Sequence, residues 1–243
     1  MTVHSEAAFA TTSGVAPQEA GGAPQGPPTA GRRPRRAPHG VVRPGRGADV
    51  LDLRGPGRRP EELSFPAGDL VVVSGLPGSG KSTLMHRIVP ARDARGTAVH
   101  RIDSQDARER WERGRLRGLP YGIYRPLVRA AHYLGLRRAL RSGASVVVHD
   151  CGTLAWVRRW VARSARRRGG GAHLVLLDVP PQVALSGQES RGRGVSGYAF
   201  ARHRGAVGRL VGAAESGGPP KGFGSVVLLD RRAASALETV GFG

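Results

Sequence analysis

Cysteine is nearly absent from this 243-residue chain: Cys151 stands alone, so no internal disulfide can form. That suits a reducing compartment, and the cytoplasm is the expectation. No run approaches 18 consecutive apolar residues, which argues against a membrane-spanning helix and a membrane partner. The N-terminus has no basic segment followed by an apolar core, so no signal peptide is expected. Aromatic residues are only 5% of the chain, too few for a single-strand nucleic-acid binder built on base stacking. Lysine is scarce as well: of 38 basic residues, all but Lys81 and Lys221 are arginine.

Acidic residues are the other shortage, 18 against those 38, for a formal net charge of +20. Such a balance raises nucleic acid as a partner. The alternative is plain composition, because Ala, Gly, Arg, Val and Pro dominate throughout and the charge is scattered. Residues 1–48 carry Ala, Gly, Pro, Ser and Thr up to Gly31, then a basic stretch from Arg32 to Arg46. Too little apolar surface is there to offset chain entropy, so this segment reads as a disordered basic tail. The remaining residues, 49–243, suffice for one domain.

The most specific stretch is Gly75-Leu76-Pro77-Gly78-Ser79-Gly80-Lys81-Ser82-Thr83. Glycine, four residues, then Gly-Lys-Ser is the spacing of a phosphate-binding P-loop. The glycines let successive backbone N–H groups form a nest for phosphate oxygens, and the next helix turns its partial positive end toward the same anion. Lys81 adds a full charge at the β- and γ-phosphates, and Ser82 offers a hydroxyl to Mg²⁺. The flanks agree. Asp69–Ser74 is a short β-branched apolar run, and Leu84/Ile88 and Met85/Val89 recur at i, i+4.

Beyond the P-loop, apolar runs near 97–102, 145–149, 172–177 and 225–229 alternate with helical stretches, the last expected over 231–239. Asp49–Leu53 is a candidate edge strand. Strands alternating with helices predict a mostly parallel sheet with crossovers on both faces, and ligands bind at the carboxyl ends of such strands. Attention therefore falls on the residues immediately after each strand.

After the second strand come Asp103, Ser104, Asp106 and Arg108. A carboxylate there can orient an acceptor hydroxyl and take its proton. Asp103, at the strand tip, is better placed than Asp106, and Asp103 and Arg108 are candidate acceptor contacts. The competing assignment is helix capping by Asp103 or Ser104. After the third strand, Asp150 is the candidate Mg²⁺ ligand, again with capping as the alternative, and His149 reads as a hydrogen-bonding structural residue. After the fourth, Gln188 to Ser196 spaces Arg191 and Arg193 with glycine, as a lid closing over a nucleotide would need; the alternative is a solvated basic loop. No cluster has zinc-ligand spacing.

Gly75–Thr83, Asp103–Arg108, Val146–Asp150 and Gln188–Arg193 together resemble the P-loop kinases of the polynucleotide-kinase-like group, often labelled AAA-family ATPases, over residues 68–230. The resemblance implies a Mg²⁺- and ATP-dependent phosphotransferase, with Lys81 on the phosphates, Ser82 and Asp150 at the metal, an acid after the second strand as base, and lid arginines. The group usually sets its acid three residues before the arginine. Here Asp106 lies two before Arg108 and Asp103 five before it, which leaves the base open between them. The expectation is an α/β P-loop NTPase three-layer sandwich with a five-stranded, mostly parallel sheet and a short arginine-containing lid. It would move the γ-phosphoryl group of ATP to a hydroxyl on a small molecule or a polynucleotide 5′ end. The alternative is an ATPase or switch acting on a protein or nucleic-acid partner.

Overall fold

Leu70–Gly75, Ala172–Leu177 and Ser225–Leu229 are buried at every position, as strands covered on both faces must be. They form the middle of the main sheet. The computed structural model describes residues 40–104, 106, 121–149, 154–190 and 196–243, with only the backbone for 121–125. In chain order the strands are β1 (Gly40–Val42), β2 (Asp49–Asp52), β3 (Pro60–Phe65), β4 (Leu70–Gly75), β5 (His100–Ile102), β6 (Val146–His149), β7 (Ala172–Leu177), β8 (Ser225–Leu229) and β9 (Thr239–Phe242). The helices are α1 (Lys81–Ile88), α2 (Tyr121–Arg141), α3 (Ala155–Arg167), α4 (Pro181–Glu189), α5 (Gly197–Glu215) and α6 (Arg231–Ala236).

The main sheet is parallel throughout, in the order β2-β8-β7-β4-β6-β5. Alternate residues supply two separate cores. Val71, Val73, Val147, Val175 and Val227 face Leu84, Met85 and Ile88 of α1 and the buried residues of α6. Leu70, Val72, Val146, Val148, Leu174 and Val226 face α2, α3 and the C-terminal half of α5. This is the three-layer α/β sandwich that the alternating pattern predicts. β4 pairs with β6 on one side and β7 on the other, and the chain crosses from β6 to β7 over it. The carboxyl end of β4 is thus a topological switch point, where ligands bind in such sheets.

Three expectations need correction. The sheet has six strands instead of five, because Asp49–Asp52 pairs with β8 along its full length. The helix expected over 231–239 stops at Ala236, and Thr239–Phe242 forms β9 instead. β9 pairs with β3, and β3 with β1, in a second parallel sheet. Leu63, Phe65, Val240 and Phe242 alternate inward from it and cap the α1 core, which a short helix would leave uncovered. Finally, residues 40–48 belong to the fold: β1 lies in that sheet, and Arg46 is anchored to Asp69. The rest of the expected tail, 1–39, lies outside the described residues.

Asp69 is fully buried at the start of β4. Arg46 grips it with Nε at 3.0 Å and Nη2 at 2.5 Å, Gly171 N–H donates to it at 2.6 Å, and His173 Nε2 lies 2.8 Å away. His173 Nδ1 meets Ser225 Oγ at 2.8 Å. Ser, His and Asp in line invite a catalytic reading. All three are at 0% exposure and at the amino ends of β7, β8 and β4, away from the switch point, so the network is a structural clamp. Burial alone would raise the Asp69 carboxyl, but the bonds from His173, Arg46 and Gly171 outweigh it and hold the group below its ordinary value. A depressed carboxylate contributes stability that is complete above its unfolded pKa of about 4, and lost as pH falls through the lower folded value. Asp69→Ala should cost about 3 kcal/mol, the usual result of breaking a buried pair. In acid the deficit should shrink; an equal deficit at neutral and acidic pH, read by denaturant titration, would contradict the assignment.

At the opposite, carboxyl end of the sheet, Arg54 binds Asp52 Oδ2 (2.8 Å), Asp178 Oδ2 (2.5 Å) and Glu215 Oε1 (2.8 Å). Those contacts, above all Asp52, raise its pKa further. The guanidinium joins the exits of β2 and β7 to the last turn of α5, which ties the end of that helix to the carboxyl end of the sheet.

Candidate functional site

The turn from β4 into α1 is built from residues 75–80. Gly80, in the left-handed region (φ 94°), caps α1, and Lys81 and Ser82 open its first turn. Lys81 is 5% exposed. Its ammonium donates to Gly75 O (3.0 Å), Leu76 O (2.6 Å) and Ser79 Oγ (3.4 Å), so the charge lies across the loop that the nest encloses.

α4 packs directly on this loop. Gln188 Nε2 donates to Pro77 O at 3.2 Å. A side chain at Gly78 would overlap the Ala184 carbonyl oxygen, and one at Gly187 would overlap Gly78 O, so two glycines allow backbone to meet backbone. Gly78 also has φ +86°, which an L side chain resists. Gly78→Ala should therefore push the loop off α4. Nucleotide affinity is expected to fall at least tenfold, against a modest loss of stability, as read by nucleotide titration and thermal melting. Unchanged affinity would mean that the contact does not shape the loop.

Outside the loop, a cavity of about 440 Å³ is walled by Ser79 and Thr83, by Val179, Val183 and Ser186, and by Arg231. Its size and mixed apolar and cationic lining suit part of a small-molecule ligand. No local pattern along the chain points to it, because its walls come from three segments far apart in sequence.

On the other side of β4, the end of β5 places Asp103 with its side chain wholly buried. His149, at the end of β6, sets Nδ1 3.2 Å from both Asp103 Oδ1 and Ser104 Oγ. The expectation that His149 is a hydrogen-bonding residue thus gains a partner. His132, on α2, joins the group. Burial pushes its pKa below the ordinary histidine value and the nearness of His149 lowers it further, with Asp103 acting in the opposite direction. Sequence reasoning missed His132, since only tertiary packing brings it to Asp103.

Asp106 is placed differently. It is partly exposed and engaged with His86 Nε2 at 3.2 Å and Arg101 Nη2 at 3.6 Å. Arg108, Asp150, Arg191 and Arg193 lie outside the described residues. Of the two residues expected at the metal, Ser82 opens the first turn of α1 and carries a hydroxyl, a hard oxygen donor of the kind that Mg²⁺ accepts. No group of three His, Cys, Asp or Glu side chains able to hold a metal exists among the described residues. Among the described residues no helix is long and apolar enough to cross a membrane.

Solved structures to which this chain is similar include a chain of the PezAT chromosomal toxin–antitoxin system of Streptococcus pneumoniae, at 13% identity, 72% of this chain, 79% of that one and TM-score 0.47. Shikimate kinase from Bacteroides thetaiotaomicron is 11% identical over 69% of this chain and 92% of its own, with TM-score 0.37. The tunicamycin resistance protein of Deinococcus radiodurans is 15% identical over 69% and 91%, with TM-score 0.36. No curated protein matches significantly. The family model described as AAA domain matches residues 70–208, from the first residue of β4 through the middle of α5. That span is more than half of the chain and contains the P-loop, Asp103 and α4, and the protein belongs to the AAA domain family.

Proposed function

We propose that this protein is a Mg²⁺-dependent phosphotransferase that moves the γ-phosphoryl group of ATP to a hydroxyl acceptor. One observation carries the reading: a P-loop with a buried lysine and, across the adjacent switch point, a wholly buried carboxylate held by a histidine. A carboxylate at that place can orient an acceptor hydroxyl and take its proton.

The backbone nest of residues 75–80 and the first turn of α1 would hold the β- and γ-phosphates, with Lys81 turning its ammonium onto them from the loop carbonyls. The cavity beside Ser79 and Arg231 would take the base end of the nucleotide. When bound, Mg²⁺ would neutralise charge on the same phosphates, with Ser82 as its protein ligand and Asp150 as the candidate second one. Asp103, kept in one rotamer by His149, would orient the acceptor hydroxyl. The acceptor oxygen forms a bond to the γ-phosphorus as the bridge to the β-phosphate breaks, ADP leaves, and the hydroxyl proton passes to the Asp103 carboxylate. Arg191 and Arg193 remain the candidates for closing over the transferred group. Positioning and charge, not covalent chemistry, would supply the rate.

The test is incubation of the full chain with γ-labelled ATP, magnesium and a panel of hydroxyl acceptors, polynucleotide 5′ ends included. Label on an acceptor supports transfer. Label released only as inorganic phosphate, and faster with a macromolecular partner, supports the hydrolytic switch instead.

A further inference from the structure

A second concave site lies between the first turns of α5 and the N-terminal part of α2. It has a volume of about 680 Å³ and is lined by Pro126, Arg129, Tyr198, Ala199 and Arg202. Nothing in the P-loop chemistry uses these residues. We propose that this cleft receives an oxyanion carried by the phosphoryl acceptor next to a planar ring, which makes the acceptor a ring-bearing anion; the assignment to the acceptor rests on the phosphotransferase reading above.

Its position comes first. Phe200 shares one buried cluster with Leu76 of the P-loop and Ala184 of α4, so Tyr198 and Arg202, two residues to either side, flank a residue packed into the loop's own core. On α2, Arg129 is one helical turn before His132, the residue whose pKa registers His149 and Asp103. One wall of the cleft therefore leads to the phosphate loop and the other to the candidate base. An acceptor must touch both.

The chemistry is the second point. The two guanidiniums come from different helices, are exposed, and share a concavity whose lining contains no acidic side chain. Among the described residues neither is paired with a carboxylate. Like charges around one space repel, and a bidentate oxyanion between them removes the repulsion. Unpaired arginines are common in a chain this basic. Two from separate helices converging beside a P-loop are not explained by composition. Tyr198 is 80% exposed, the most exposed of the large apolar or aromatic side chains among the described residues. It packs into neither core and presents a ring face to stack on a planar ligand.

The experiment uses the full chain saturated with a non-hydrolysable ATP analogue and magnesium, so that the P-loop cannot take the probe. Phenyl phosphate, benzoate and benzyl alcohol are titrated calorimetrically. At least one of the two anions should bind and benzyl alcohol should not, and which anion binds tighter tells a phosphate-bearing acceptor from a carboxylate-bearing one. Arg129→Ala and Arg202→Ala should each weaken the anion about tenfold or more, as loss of a charge-assisted bond does, with analogue affinity unchanged. Tyr198→Ala should weaken it several-fold. Arg202→Gln, which keeps a polar side chain on the same first three carbons while removing the charge, guards against a folding artefact. No anion binding to the wild type, equal binding by the variants, or equal binding of benzyl alcohol overturns the proposal. The same titrations on nucleotide-free Lys81→Ala protein keep the two readings apart. If the analogue does not bind at all, the phosphotransferase reading falls while the cleft is still tested.

Discussion

Lys81→Ala is expected to remove nucleotide turnover altogether within the sensitivity of a steady-state assay. Lys81 is buried against its own loop, with its ammonium 2.6–3.0 Å from two loop carbonyls, so its charge is concentrated where phosphate oxygens would sit. Losing a charge-assisted hydrogen bond there should weaken ATP by about 1.5–3 kcal/mol, which is roughly ten- to a hundredfold. The loss in the rate of transfer should be larger, on the order of 10²–10³ or more, because the same charge offsets what develops in the transition state. Lys81→Arg should not rescue it, since a planar fork cannot occupy the same small space. Removing the ammonium also leaves two buried carbonyls without that donor, so a lower melting temperature should accompany the loss. Turnover within a few-fold of the wild type would mean that phosphate chemistry takes place elsewhere.

Asp103→Asn is the second large effect. The amide keeps the size of the side chain and can still bond to His149, so the fold and ATP affinity should stay within about twofold. Transfer should fall by roughly 10²–10⁴, the range for removal of a general base. Asp106→Asn is the internal control. Asp106 is partly exposed and already engaged by His86 and Arg101, so its loss should change the rate only a few-fold. A reversal of these two results would move the base from Asp103 to Asp106. His149→Ala should lie between them, with kcat reduced and KM for ATP unchanged, if its role is to hold Asp103.

What could be read from the sequence is what is local along the chain. The P-loop depends on spacing within nine residues, and its strand and helix are visible in the apolar runs on either side. β7 and β8 announce themselves for the same reason, being β-branched or leucine-rich segments buried on both faces. β3 and β9 do not. Glu62 pairs with Thr239 and Phe65 with Phe242 across most of the chain, and a short segment such as Thr239–Phe242 has no strand character until that partner is present. The same holds for Arg46, whose meaning is Asp69, and for His132, whose meaning is Asp103 and His149. Within a basic, low-complexity stretch Arg46 looks like tail. In the structure it is the lid on a buried carboxylate, and it draws residues 40–48 into the domain. The acceptor cleft is equally hidden, since Arg129 and Arg202 stand out from the other arginines only once α2 and α5 converge.

The account depends on residues 75–82 enclosing a triphosphate, and calorimetric titration of the full chain with ATP in the presence of magnesium tests that most directly. The prediction is saturable uptake of one nucleotide per chain, lost in Lys81→Ala and retained in Asp103→Asn. An absence of binding heat with ATP and with GTP, for protein shown to be folded, would contradict it.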